Sequence, residues 1–128
     1  MDDTAATALM QRFGKAFFTK DRDMLASVIT EDAQWHFAFG ADVPHGRVRK
    51  GMAGFMRGME ENDALFEHLR FNDVKCTGFG ADQIVMTYTV EGRMRDGDAF
   101  ELRGIELITA RDGRIAIKDV FWKQYRAD

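Results

Sequence analysis

The apolar residues change their spacing near the middle of the chain, and that change limits the folds open to it. Residues 4–19 set Leu9, Phe13, Ala16 and Phe17 on one helical stripe, with Asp2 or Asp3 as N-cap. Lys20-Asp21 breaks the pattern. A short second helix follows, capped by Asp21, with Leu25, Val28 and Ile29 turned inward. Residues 52–61 carry Met52, Phe55, Met56 and Met59 at i, i+3, i+4 and i+7. Gly54 and Gly58 lie inside that third helix. Each weakens it by about 1 kcal/mol relative to Ala, so a close-packed neighbour is expected there. From Leu65 onward the period is two. Ile84, Met86, Tyr88 and Val90 alternate with more polar positions. Asp96-Gly97 and Asp112-Gly113 stand between strand-like runs, where type I′ turns need positive φ. The last two strands are predicted at about 99–110 and 114–125, and a looser hairpin at 78–82.

Helices first and antiparallel hairpins second is an α+β order. The expected solution is a curved antiparallel sheet whose concave face is closed by the helices, leaving a cone-shaped interior. Ile115, Ile117 and Phe121 are too apolar for open water on the other face. They suggest a homodimer through the sheet.

The chain has 128 residues, 45% of them hydrophobic and 30% charged, which fits a single domain over 1–128. A chain of this length buries enough surface to fold without disulfides or a structural metal. Its net charge of -3 carries no electrostatic footprint for nucleic acid. The basic cluster Arg47, Arg49, Lys50 reads as a solvated strand edge. No apolar run reaches the ~18 residues of a membrane span. The acidic start MDDTAATALM lacks the apolar core of a secretory signal, and Cys76 has no partner for a disulfide. Together these features point to the cytoplasm.

Two stretches carry a family resemblance. The first is QRFGKAFFTKDRDMLASVITEDAQW: a helix, a Lys-Asp break, a short helix, an acidic turn and a strand. The second is RGIELITARDGRIAIKDVFWK, a hairpin over Asp112-Gly113 that closes on an aromatic pair. In their order and spacing the chain resembles the NTF2-like superfamily, in its SnoaL-like and ketosteroid-isomerase-like branch, over nearly its whole length. The resemblance implies a cone with an apolar pocket for a small hydrophobic molecule, often dimeric, and chemistry without metal or organic cofactor.

The isomerase machinery itself does not transfer. The family's helix tyrosine falls on Phe13 and its strand carboxylate base on Phe37. Its oxyanion acid falls on Ile105, or on Glu106 if the ARDGRI turn is one residue shorter. A slip of one residue swaps the faces of a strand, so the register decides whether Glu106 points in or out. This residue set is not that of a standard ketosteroid isomerase. An isomerase, cyclase or hydrolase working by proton transfer, and a non-catalytic binding or dimerisation module, both fit the resemblance.

Three residues are candidates for proton transfer. Glu106, between Ile105 and Leu107, is either a buried carboxyl with a raised pKa, or it faces solvent or pairs with Arg103, Arg93 or Lys118 across the sheet. His36, between Trp35 and Phe37, is a proton shuttle if the strand twists it inward and a structural or interface residue if not. Asp42 and His45 flank Val43-Pro44, where an acid–base pair at a pocket rim competes with an ordinary surface turn. Phe13, Phe17, Trp35, Phe37 and Tyr88 are candidates for the pocket wall, or fill the core. Phe55 and Met59, with Met52 and Met56, form either a pliable lid or plain core. The resemblance adds Trp122, because relatives turn an aromatic residue of the last strand into the cavity. The three histidines lack dense metal-ligand spacing, GFGAD at 78–82 lacks the helix of a phosphate loop, and Cys76 reads as a small buried hydrophobe.

Overall fold

A computed structural model of the chain describes residues 1–124. Helix α1 runs Asp3–Thr19 and α2 Arg22–Val28, each capped by an aspartate side chain, Asp2 on the N–H of Ala5 and Asp21 on that of Met24. Strand β1 (Ile29–His36) follows, then a loop to the short β2 (Val48–Lys50) and helix α3 (Gly51–Leu65). Four long strands complete the chain: β3 Phe66–Phe79, β4 Gln83–Met94, β5 Ala99–Arg111 and β6 Arg114–Trp122. Ile29, expected on the second helix, instead opens β1, still buried. Residue 125, the expected end of the last strand, lies outside the described residues.

The strands form one open sheet in the order β2-β1-β6-β5-β4-β3. It is mixed rather than purely antiparallel, because β1 pairs parallel with β6. The reason lies in connectivity. Hairpins join β3 through β6, whereas β1 arrives from the helices and adds to the β6 edge running in the same direction. The β5–β6 turn is as tight as its residues allow: Asp112 and Gly113 both take positive φ, at 55° and 74°.

Two irregularities re-aim side chains. Between Thr109/Ile117 and Ala110/Ile115 the β5–β6 register shifts by one residue. The extra residue turns Ile115 into the core, where it is fully buried, so it is not part of the outer face with Ile117 and Phe121. In β3 a second shift falls between Asn72 and Lys75, with Asp73 at φ 54°. It brings Cys76 to the inner face opposite Met86.

The core lies between the inner face of the sheet and the helices, built from Leu9, Phe13, Leu25, Val28, Trp35, Phe55, Ile84, Ile108 and their neighbours. The α3 glycines have the expected cause. A Cβ on Gly58 would stand 2.6 Å from the Trp35 ring and 2.8 Å from that of Phe37, and one on Gly54 3.1 Å from the Arg49 backbone. Trp35 and Phe37 stack with their ring centres 4.1 Å apart, directly beneath α3. Arg49 makes a two-pronged pair with Glu61 at 2.7 Å on each arm, and Arg47 reaches the same carboxylate. Part of the basic cluster thus clamps β2 to α3 instead of lying free in solvent.

Candidate functional site

Glu106 points inward and Ile105 outward. Glu106 is 3% exposed and Ile105 37%. On the inner face Glu106 sits in a row between Met86 of β4 and Val120 of β6. The next row is Tyr88, Gly104 and Trp122. Gly104 lets that row work. A Cβ there would meet the Tyr88 ring at 2.3 Å, so the missing side chain allows the phenol to lie across β5. Tyr88 then donates its hydroxyl proton to Glu106 Oε2 at 2.7 Å and accepts from Trp122 Nε1 at 3.0 Å. Burial, helped by the adjacent carboxylate, pushes the Tyr88 phenol far above the ordinary tyrosine range, so it stays a donor.

The second oxygen of Glu106 has a different neighbour. Lys118 Nζ lies 3.0 Å from Glu106 Oε1, off the line of an aligned hydrogen bond. Lys118 is 6% exposed. Its ammonium sits over the Trp35 ring at 4.9 Å and the Phe13 ring at 5.5 Å. Trp35 is its partner across the parallel β1–β6 pair, and Glu106 its diagonal neighbour across β5–β6. A carboxylate and an ammonium, both buried, therefore share one apolar space.

That space is a cavity of about 530 Å³ under α1. Phe13, Phe17, Phe71, Met86, Tyr88, Cys76, Glu106 and Lys118 line its interior. Trp35, Phe37 and Trp122 line a small recess that continues past Glu106 and Lys118 toward β1. Burial raises the Cys76 thiol above its usual range, with a smaller contribution from Glu106.

Phe55 and Met59 are packed in the core beneath α3, outside the cavity wall that holds Glu106. His36 lies on the opposite face of β1. It pairs with Gln34 at 3.0 Å, lies against the tilted His45 ring with ring centres 4.7 Å apart, and has Asp119 at 3.8 Å. Burial is the largest influence on its imidazole and holds its pKa below the ordinary value; Asp119 works the other way, and His45 and Lys50 add to the lowering. Asp42 is exposed on the loop and accepts the N–H of Val48 at 3.2 Å. His36 and His45 border a cleft with Lys50 and Arg57 on the outer side. Neither His36 nor Asp42 reaches Glu106. Among the described residues no group of three His, Cys, Asp or Glu has the placement to hold a metal.

Lys118, one of three basic residues named as possible partners of Glu106, is the one that pairs with it, and sequence reasoning did not place it among the pocket residues. A signal was available: in RIAIKDVFW it alternates in phase with Val120 and Trp122, both inward.

The comparisons agree with this architecture. The family model of the SnoaL-like domain matches residues 10–117, and the chain belongs to that family. No curated protein matches it. Among solved structures it is similar to an NTF2-like protein from Burkholderia xenovorans, with TM-score 0.81 and 16% identity, over 96% of this chain and 92% of that one. It is similar as well to a candidate polyketide cyclase from Xanthomonas campestris, with TM-score 0.77 and 20% identity over 96% and 93% of the two chains. TerC, co-crystallised with polyporic acid, superposes with TM-score 0.77 at 18% identity over 93% and 92%. At these identities the likeness is one of fold.

Proposed function

We propose that the protein binds a small hydrophobic carbonyl compound in the cavity under α1 and transfers a proton on it. The carrying observation is Glu106 and Lys118, 3.0 Å apart and both buried, facing one apolar space. In this reading Glu106 Oε1 takes a proton from the carbon next to the carbonyl. The C–H electron pair moves into the C–C bond and the carbonyl π pair onto oxygen. Lys118 holds the resulting enolate oxygen by charge and N–H donors. Returning the proton to a different carbon gives an isomer, so the step balances without oxidant or reductant. Tyr88 is a positioning residue, since its hydroxyl pins Glu106 Oε2 and leaves Oε1 toward the cavity. The helper role expected of His36 or Asp42 passes to Lys118. The likeness to a candidate polyketide cyclase supports a substrate of this carbonyl class.

The test is exchange in heavy water. Small aryl ketones incubated with the protein should take up deuterium next to the carbonyl, followed by proton NMR. Glu106→Gln should abolish the exchange while circular dichroism shows the fold retained. Full exchange by that variant, or none by the parent protein across the panel, would leave a binding pocket without chemistry. A pair already matched in charge also suits that second reading.

The outer sheet face supports a homodimer. Leu107 and Phe121, 42% and 47% exposed, lie there with Ile105. Light scattering after size exclusion should give twice the monomer mass, and Leu107→Lys should halve it.

A further inference from the structure

The mouth of the cavity has its own chemistry. On α1, Thr7, Gln11, Gly14 and Phe18 stand at i, i+4, i+7 and i+11 and line the cavity along one stripe. Opposite them, on the sheet's edge strand β3, are Val74 and Lys75. Gln11, Phe18, Val74 and Lys75 are all exposed, so this gap is where the cavity meets solvent.

Gly14 has no packing reason to be glycine. A Cβ built there meets no atom within 4 Å, and its φ is not positive. Glycine inside a helix weakens it, so the site forgoes helix stability and in return keeps open space at the mouth. Across the gap the β3 bulge at Asp73 turns Cys76 inward and leaves Lys75 on the rim. Lys75 forms no ion pair among the described residues. Deeper in, Glu106 and Lys118 offset each other. The cavity therefore carries one surplus positive charge, and it stands at the mouth beside two hydrogen-bonding side chains, Thr7 and Gln11.

We propose that the gap between α1 and β3 is the ligand's doorway, and that the ligand is an amphipathic organic anion. Its apolar body lies among Phe13, Phe17, Phe71 and Met86, and its single anionic group, a carboxylate or equivalent, stays at the mouth against Lys75, Thr7 and Gln11. This rests on the cavity being a binding site, not on its being catalytic.

Two fluorescent probes of one skeleton test it: 1-anilinonaphthalene-8-sulfonate, which is anionic, and N-phenyl-1-naphthylamine, which lacks the sulfonate. Lys75→Met should weaken the anionic probe by roughly three- to tenfold and leave the neutral probe unchanged, as expected for a partly exposed charge contact. Gly14→Leu should weaken both by about tenfold or more by filling the mouth, with no drop in the denaturation midpoint, because leucine favours the helix. Equal effects of Lys75→Met on the two probes, or none on either, would overturn the anionic-end assignment. Unchanged binding of both to Gly14→Leu would overturn the doorway. Failure of both probes to bind the parent protein would overturn the pocket reading itself, a result separate from any outcome of the deuterium experiment.

Discussion

Lys118 Nζ and Glu106 Oε1 stand 3.0 Å apart with both residues more than nine-tenths buried, so each is the other's charge partner. Removing either partner strands the other. Lys118→Met or Glu106→Leu should each cost about 3–5 kcal/mol, and the double variant should recover most of it. Urea titrations of the four proteins form the cycle. Simple additivity of the two losses would contradict a direct pair.

Tyr88 should hold its proton in the folded state. Its phenol pKa is raised by burial first and by Glu106 second, and the reference value is 10.0. The raised value favours the folded state while the phenol is protonated. That stability is fully present below pH ~10 and is lost as pH climbs beyond it, because the unfolded chain releases the proton first. Ultraviolet titration of the folded protein should show Tyr88 silent until unfolding. Tyr88→Phe should reduce the alkaline sensitivity and cost about 1–3 kcal/mol at neutral pH, by orphaning the donor Trp122 Nε1 and the acceptor Glu106 Oε2.

The acid side belongs to His36. Its folded pKa is lowered from 6.5, chiefly by burial. Its contribution to stability is therefore present above that value and is lost as pH falls through the lower folded value. His36→Gln should flatten the stability curve below pH ~6.5. An unchanged slope in thermal melts of the variant would rule out His36 as the source.

Gly58→Ala sets two effects against each other. Alanine favours the helix by about 1 kcal/mol. The new methyl would stand 2.6 Å from Trp35 and 2.8 Å from Phe37, rings already stacked on each other with nowhere to move. Overpacking of this kind costs about 1–3 kcal/mol. Denaturant titration should find a net loss, in contrast to Gly14, where space is free.

Much of this was legible in the chain. The shift of period from helix to strand placed α1, α3 and the hairpins. Asp112-Gly113 placed the last turn, and the alternation of β4 put Tyr88 on the inner face with Ile84 and Val90. Faces near bulges were not legible. Ile115 faces inward because one extra residue shifts the register, and nothing local announces it; Cys76 reads as buried from its residue type, but the bulge that turns it inward is equally silent. The direction of His36 followed from alternation with Trp35 and Phe37, but its partners His45 and Asp119 come from a loop and a distant strand.

The sequence by itself determined the elements, their order and the family, since helix and strand periods, caps and Asp-Gly turns are local properties of the chain. Only the tertiary structure decided the site. Glu106 faces in because the pairing of β4, β5 and β6 sets it in a row between Met86 and Val120. Lys118 is its diagonal neighbour across the β5–β6 hairpin, and β1, paired with β6 from the other end of the chain, lays Trp35 over the ammonium and helps enclose both charges. How that pair is enclosed depends on the pairing of β1 with β6 across the whole fold, and no local pattern encodes that.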